Sequence, residues 1–379
     1  MPWNEVSTVT LRAEFVRLAQ NNDANISQLC ERFHISRKTG YKWLARFRAH
    51  GDAGLSDQSR RPSCSPARTP GDVEAEVLRL RDQHPAWGGR KLHARLLALK
   101  RENVPTPSTI TAILRRHQRI SPESTTTRAF VRFERDRPNE LWQMDFKGHF
   151  PTASGRCHPL TVLDDHSRYC VGLLACTNER SETVQTHLTT IFRCFGIPER
   201  ILCDNGPPWG SAGADTKWTG LTVWLLKLGI RVSHGRAFHP QTQGKDERFH
   251  RTLDVEVIQR QAWSDVEACQ RRFDPWRQAY NHERPHESLE MEVPASRYRV
   301  SERVFPEVVR EWEYGATDAV RKVAIDGTIS YRGKEVPLGK AFRGERVAVR
   351  PTMTDGVLKI FFGVHEVAEF DLRHQDVGS

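Results

Sequence analysis

Three acidic residues of this 379-residue chain stand where a carboxylate needs a partner. Asp145 lies in the run LWQMDFKGHF. As a strand, this run puts Trp142, Met144 and Phe146 on one face and Gln143, Asp145 and Lys147 on the other. An acid inside such a strand is costly unless it is paired, hydrogen-bonded or bound to a metal. Asp204 ends the run RILCD, just before Asn205-Gly206, at what would be the C-terminal tip of a strand. Sheet–helix folds gather ligands and catalytic groups at that edge. Glu247 belongs to HPQTQGKDERFHRTLDVEVIQ, where Phe249, Leu253 and Val257 form the buried stripe of a helix. Glu247 lies off the centre of that stripe and can reach over the sheet edge. Three carboxylates from two strands and a helix suit hard divalent cations bound through oxygen. Two such ions roughly 3.5–4 Å apart can activate an attacking oxygen and stabilise a leaving one at phosphorus. Singly, each acid has a plain alternative: Asp145 can pair with a buried arginine, and Asp204 can cap a turn.

The elements that would position these acids alternate between apolar runs and helical patterns. LWQMDF, HPLTVLDD, RYCVGLLAC, ERILCD and IRVS read as strands, with helices between the later ones. Three strands in quick succession, then helix–strand–helix–strand–helix, predict a mixed sheet flanked by helices. A helical tail follows from Trp263 to Asn281. The last sixty or so residues turn strand-like again, with Asp326-Gly327 and Asp355-Gly356 as hairpin turns. VRKVAID, TISY, GERVAVRP, VLKIFFG and HEVAEFD predict a small five-stranded barrel or sandwich.

The N-terminal third is helical and basic. The chain's net charge of +10 is concentrated before Glu140, which points to an anionic partner there, nucleic acid rather than membrane. Leu11, Phe15 and Leu18 recur at helical spacing, and Ile26, Leu29 and Phe33 form a short apolar face. Ser36 is placed to cap a further helix that turns Tyr41, Leu44 and Phe47 inward. Arg37, Lys38, Thr39 and Lys42 at its start match a helix-turn-helix entering the major groove. A linker rich in Gly, Pro, Ser and Arg follows, in which Arg60, Arg61 and Arg68 can lie along a phosphate backbone. Helical patterning resumes with Val73, Val77 and Leu80, then Leu92, Leu96 and Leu99. Pro107 opens a helix with Ile110, Ile113 and Leu114 on one face and Ser108, Thr109 and Thr111 at its front. This reads as a second helix-turn-helix.

The chain start lacks the charged, then apolar, pattern of a signal peptide, and no apolar run reaches membrane-spanning length. A cytoplasmic protein without membrane partner is expected, nucleoid-associated when acting. Its eight cysteines form no C-x-x-C pair and read as reduced, mostly buried thiols. Cys30 and His34 lie one helical turn apart without a second ligand pair, which argues against structural zinc.

The segments around the acids are more specific than the acids. HPQTQGKDERFHRTL strongly resembles the glutamate segment of retroviral-type integrases and bacterial insertion-sequence transposases, the DDE superfamily. LWQMDFKG and CDNGPP resemble its two aspartate segments. LTVLDDHSRYCVG resembles its second and third strands, and YNHERPHESLEMEVPASRY its post-catalytic helix. The resemblance runs in order from Arg137 to Tyr298. It implies a ribonuclease H-like core, Mg²⁺ or Mn²⁺ with two ions expected, and Asp145, Asp204 and Glu247 as catalytic residues and metal ligands. Asp246 is a neighbour rather than the family's acid, and Asp164 and Asp165 fit a strand-to-strand turn. Lys245 is a candidate phosphate contact, with His239 and Gln243 weaker ones. Arg284 and His286 read as braces of a helix end.

Two features depart from retroviral integrases. The interval from Asp204 to Glu247 is longer than usual, with GSAGADTKWTG as the extra loop. Paired helix-turn-helix units also replace the zinc module, an arrangement similar to bacterial insertion-sequence transposases.

The expected chain is therefore multidomain. It comprises a helix-turn-helix domain (1–55), a basic linker (56–70), a second helix-turn-helix (71–120) and a linker (121–137). An α/β ribonuclease H-like catalytic core with helical tail (138–300) and a small all-β barrel (318–375) complete it. The expected function is DNA transposition: binding double-stranded inverted-repeat ends, cutting phosphodiester bonds and joining the ends to target DNA. Two ends must meet, so at least a dimer is expected on DNA. A DNA-binding regulator with a silent core and a simple metal nuclease are the alternatives. An intact acid trio argues against the first, and two DNA readers argue against the second.

Overall fold

The computed structural model describes residues 7–58, 68–120, 134–210, 218–235 and 244–373. The chain divides into two units, 1–68 and 69–379.

The first unit holds three helices, α1 (Thr8–Ala19), α2 (Ile26–Arg32) and α3 (Arg37–His50). Ser36 caps α3 as expected, its side chain accepting from the Thr39 N–H. The apolar faces are rotated from the expected ones. Leu11 and Tyr41 are exposed, at 42% and 58%, and Val16, Gly40 and Trp43 are buried instead. The cause is close packing at Gly40, where an added Cβ would stand 2.6 Å from the Cys30 sulfur and 2.9 Å from the Phe15 ring. That contact turns Gly40, Trp43 and Leu44 inward and leaves Tyr41 on the flank.

The second unit opens with α4 (Gly71–Gln83), α5 (Gly89–Ala98) and α6 (Pro107–Arg116). Val77, Leu80, Leu92, Leu96, Ile110, Ile113 and Leu114 are buried together around Trp87. Thr106 caps α6 and Pro107 sits in its first turn, where a missing N–H costs nothing.

The catalytic-core sheet contains β1 (Trp142–Phe146), β2 (Phe150–Thr152), β3 (Gly155–Asp164), β4 (Cys170–Cys176), β5 (Arg200–Cys203) and β6 (Arg231–His234). The order is β2-β3-β1-β5-β6, with β4 on β3. β1, β3 and β4 are antiparallel neighbours, whereas β5 and β6 run parallel to β1. This is the ribonuclease H-like mixed sheet that the resemblance implied. β2 was not expected; its three residues form only the end of a hairpin with β3.

Helices cover both faces. α7 (Ser181–Phe195) and α8 (Gly220–Lys227) pack on the side of Trp142, Met144, Leu160 and Val162. α9 (Gly244–Glu256) and α10 (Val266–His282) cover the other side with Phe249, Leu253, Phe273 and Trp276. Alternation along β1 therefore delivers its apolar face to α7 and α8, and its polar face to α9.

Beyond a short α11 (Pro294–Arg297), an extended strap runs past the loops that precede β5 and β6. Ser301 N–H donates to the Phe195 carbonyl, and Ile197 N–H to that of Arg303. Gly196 is required there: its φ is +69°, and a Cβ would come within 2.8 Å of two strap carbonyls. Arg303 binds the carbonyls of Pro198 and Gly229 at 2.5 and 2.9 Å.

The C-terminal region has six strands rather than five. β7 (Ala319–Lys322), β10 (Arg346–Pro351), β11 (Val357–Phe362) and β12 (His365–Asp371) form one antiparallel sheet, and β8 (Thr328–Tyr331) pairs with β9 (Lys334–Pro337) in another. β9 escaped the sequence reading because only Val336 of its four residues is buried. Asp355-Gly356 is a hairpin turn as expected, but Asp326-Gly327 joins strands of different sheets. α8 belongs to both cores: Leu221 and Leu225 face the catalytic sheet, whereas Val223 and Leu226 join the β-region cluster. Among the described residues no helix is long and apolar enough to cross a membrane.

Leu226, 1% exposed, reports on this shared seat. Leu226→Ala is expected to cost about 2–5 kcal/mol in chemical denaturation, and hydrogen exchange should show protection lost first in β10 and β11.

Candidate active site

Asp145 and Asp204 come together at the C-terminal ends of the parallel neighbours β1 and β5. Burial pushes the Asp145 carboxyl up to about 7, and the charge of Asp204 and then of Glu179 adds to this, opposed by the Phe146 N–H. Asp204 is raised too, by burial first; the Gly206 N–H, 3.1 Å from its Oδ1, holds it down, and Glu179 raises it further. No described lysine or arginine pairs with either acid. Two hard oxygen donors crowded in a half-buried edge without a protein cation fit a divalent metal.

Glu247 sits in the first turn of α9 and is exposed. The residue beneath it is Asp246, 2% exposed, with one carboxyl oxygen lacking any hydrogen-bond partner. Burial, then Asp145 and Asp165, push Asp246 well above the usual carboxylate range. Among the described residues no three His, Cys, Asp or Glu side chains converge closely enough to hold one ion. The structure thus brings two members of the expected trio together and leaves Glu247 at the rim.

α9 is held over the sheet by pairs along the polar face of β1. His250 Nε2 lies 2.9 Å from Thr161 Oγ1, which donates to the Asp145 carbonyl at 3.0 Å. Lys147 forms an ion pair with Asp254 at 2.7 Å. Lys245, the expected phosphate contact, is ion-paired with Asp165 in this DNA-free structure. Asp165 also accepts from Gln143 Nε2 at 2.6 Å and from the Arg135 N–H at 2.9 Å. Asp164 accepts from Ser167 and from the Asn139 N–H, so both acids serve the turn. Arg284 and His286 are buried against each other, and Arg284 reaches Thr252.

Sequence reasoning missed Glu179. It follows β4, receives His158 Nδ1 at 2.8 Å, and its charge bears on both catalytic-edge aspartates. Nothing in its local spacing distinguishes it; only the pairing of β3 with β4 brings it there.

In the helical units, Arg37, Lys38 and Lys42 are exposed at the start of α3, with Thr39 half-buried against Ser36. Ser108 is exposed on α6, and Thr109 shares the Thr106 cap. Thr111 departs from expectation. Its hydroxyl returns to the Pro107 carbonyl at 2.8 Å and packs where Gly89 leaves room. Arg68 is exposed; Arg60, Arg61, His239 and Gln243 lie outside the described residues.

Family comparisons agree with this architecture. Residues 135–240 match an integrase core domain, and 228–294 match a second integrase core model. Residues 318–378 match the C-terminal domain of the IS481 family transposases. Residues 11–63 match a helix-turn-helix domain and 39–114 a homeodomain-like domain. The chain is a transposase of the DDE superfamily. This transposase is 24% identical to an uncharacterized 31.7 kDa protein of insertion element IS407 from Burkholderia multivorans, over 59% of its own length and 79% of that protein. It is 31% identical to the Gag-Pro-Pol polyprotein of simian retrovirus SRV-2, over 36% of this chain and only 7% of the polyprotein. A simian T-cell lymphotropic virus intasome chain overlaps 78% of it, with 95% of that chain covered, at 16% identity and a TM-score of 0.39. The HTLV-2 integrase catalytic core in complex with magnesium overlaps 43%, with 99% of that chain covered, at 14% identity and a TM-score of 0.33. These structural overlaps are too loose to bear on the site. Its helix-turn-helix and integrase domains make the transposase a DNA-binding enzyme.

The raised Asp145 sets a pH dependence. A folded acid that holds its proton up to about 7, against 3.8 when unperturbed, takes up protons on folding between those values. Metal-free stability should therefore fall as pH rises from about 4 to 7. Asp145→Asn should remove that slope and raise metal-free stability at pH 8 by no more than about 4 kcal/mol, read by thermal unfolding across pH.

Proposed function

We propose that Asp145, Asp204 and Glu247 form the polynucleotidyl transferase centre, which cuts phosphodiester bonds at the inverted-repeat ends of a mobile element and joins them to target DNA. The observation that carries this is the uncompensated pair Asp145–Asp204 at the edge of an integrase-type sheet. Asp145 and Asp204 would hold a divalent ion between β1 and β5, and Glu247 would close the set from the rim of α9. Mg²⁺ or Mn²⁺, two ions, would supply Lewis acidity to the attacking and leaving oxygens. Asp246 is buried whereas Glu247 is open to solvent, which favours Glu247 as the third donor.

Around that centre the chain's own groups bind and orient. Arg37, Lys38, Thr39 and Lys42 on α3, and Ser108 and Thr109 on α6, are the side chains we assign to DNA. Arg60, Arg61 and Arg68 would follow the backbone between the two readers. Lys245 serves the centre by fixing the first turn of α9 to Asp165. Two ends must be held together for joining, so at least a dimer on DNA is expected. Action on the bacterial nucleoid follows from the substrate.

Labelled duplexes carrying the element's ends, incubated with Mg²⁺, Mn²⁺ or EDTA, test this reading. Asp204→Asn and Glu247→Gln should each lower nicking and joining by more than about a thousandfold while end binding persists. Binding by the wild type without cleavage in either metal would instead leave a DNA-binding regulator. Asp246→Asn should retain most activity; its loss, with Glu247→Gln active, would move the third ligand one residue back. Replacing Arg37 and Lys38 together should weaken end binding and lower the salt slope of log K by about two.

A further inference from the structure

The second helical unit closes its own apolar core around Trp87 and Leu92, and none of those buried side chains joins the clusters of the catalytic domain. Charged and hydrogen-bonding groups make the joint between them. Arg95 of α5 donates to Glu283 at the end of α10, and Arg260, beyond α9, donates to the Asp82 carbonyl at 3.3 Å. At its centre is Glu256, 4% exposed, which accepts from Trp276 Nε1 at 2.7 Å and faces the Ala86 N–H of the helical unit. Lys91 of α5 is half-buried in the same joint. Among the described residues α6 contributes no side chain to these contacts, and Ser108 at its front is exposed, while α5 is pinned.

Such a joint fixes orientation more than it adds stability. Charge-assisted hydrogen bonds have narrow angular and distance limits, whereas an apolar contact can slide. We propose that the Arg95–Glu283 and Glu256 contacts make the transposase measure length. They hold the DNA-reading front of α6 at a set position relative to Asp145 and Asp204. The cut then falls a fixed number of base pairs from the sequence that α6 grips. This rests on the transposase reading above. Each inserted base pair moves a phosphate by about 3.4 Å along the duplex and by about a tenth of a turn around it, so a pinned reader detects a single insertion.

The test uses the full chain and end duplexes with zero, one, five or ten base pairs inserted between the α6 recognition sequence and the element terminus. The wild type is expected to cut at a constant distance from the recognition sequence, displaced from the terminus by the insertion. Yield at the original terminus should fall about a hundredfold. Arg95→Ala with Glu283→Ala should spread the cut over several positions, and the reversed pair Arg95→Glu with Glu283→Arg should restore one. A cut that stays at the terminus in full yield for every spacer would overturn the proposal.

An activity-free arm separates the two readings. Spin labels on the exposed Cys194 and on Ala112→Cys of α6, in a Cys64→Ser background without DNA, should give one narrow distance that broadens in the Arg95→Ala, Glu283→Ala variant. A broad distribution in the otherwise unaltered chain would refute the joint even if cleavage occurs. A narrow one with no cleavage at native spacing would refute the transposase reading alone.

Discussion

One face of β1 carries Gln143, Asp145 and Lys147, and α9 lies across it. A polar stripe beneath a packed helix must be answered residue by residue, because each unanswered group costs its hydration. The Gln143 Nε2 is answered by Asp165, which Lys245 neutralises, while its buried Oε1 is left without a partner, and Lys147 is answered by Asp254. Asp145, between them, has no protein cation. The same pairs that hold α9 down therefore leave one uncompensated carboxylate at the point where the second aspartate arrives. A cation at that point would offset the burial and the repulsion that together lift Asp145, so the fold and metal binding share one electrostatic constraint.

The rest of the catalytic unit keeps that face in register. Apolar residues on the opposite face of β1 sink into the α7–α8 side, and their burial fixes which way Asp145 points. A shift by one residue would exchange the two faces. α8 then links the site to the C-terminal strands, since Trp218, just before it, donates its indole N–H to the Val367 carbonyl at 3.1 Å. The connection that leaves Asp204 thus ends on an anchor inside the β region's core.

Alternation and caps made much of this legible. The two faces of β1, the strand-tip position of Asp204 and the Phe249–Leu253–Val257 stripe depend on local spacing, and spacing survives folding. The Ser36 cap and the Ile110–Ile113–Leu114 face are equally local. What escaped depends on partners distant in sequence. Lys245 looked like a free cation because Asp165 lies eighty positions earlier. Tyr41 looked buried because helical spacing gives the width of a face but not its centre, which Gly40 set by touching Cys30. Thr111 looked exposed because nothing local shows that Gly89 makes room for it. Glu247 and Asp246 differ by one residue in a helix, about 100° of rotation, and that angle decides which acid meets water and which meets Asp145.

The joints within the second unit differ in chemistry, and the difference has consequences for motion. The β region is fused to the catalytic sheet through a shared apolar helix and a strap hydrogen-bonded to the loop before β5, so separation would expose two cores at once. The helical unit keeps its apolar core to itself and meets the catalytic domain through charge. Burying apolar area costs freedom to separate, whereas a charged joint is paired either with its partner or with water and ions. Selection for a stable catalytic platform favours the first kind of contact. Selection for a reader that must take a defined pose on a charged, rigid duplex favours the second, because its geometry is set by a few directional bonds and its strength is tuned by the ions that DNA displaces.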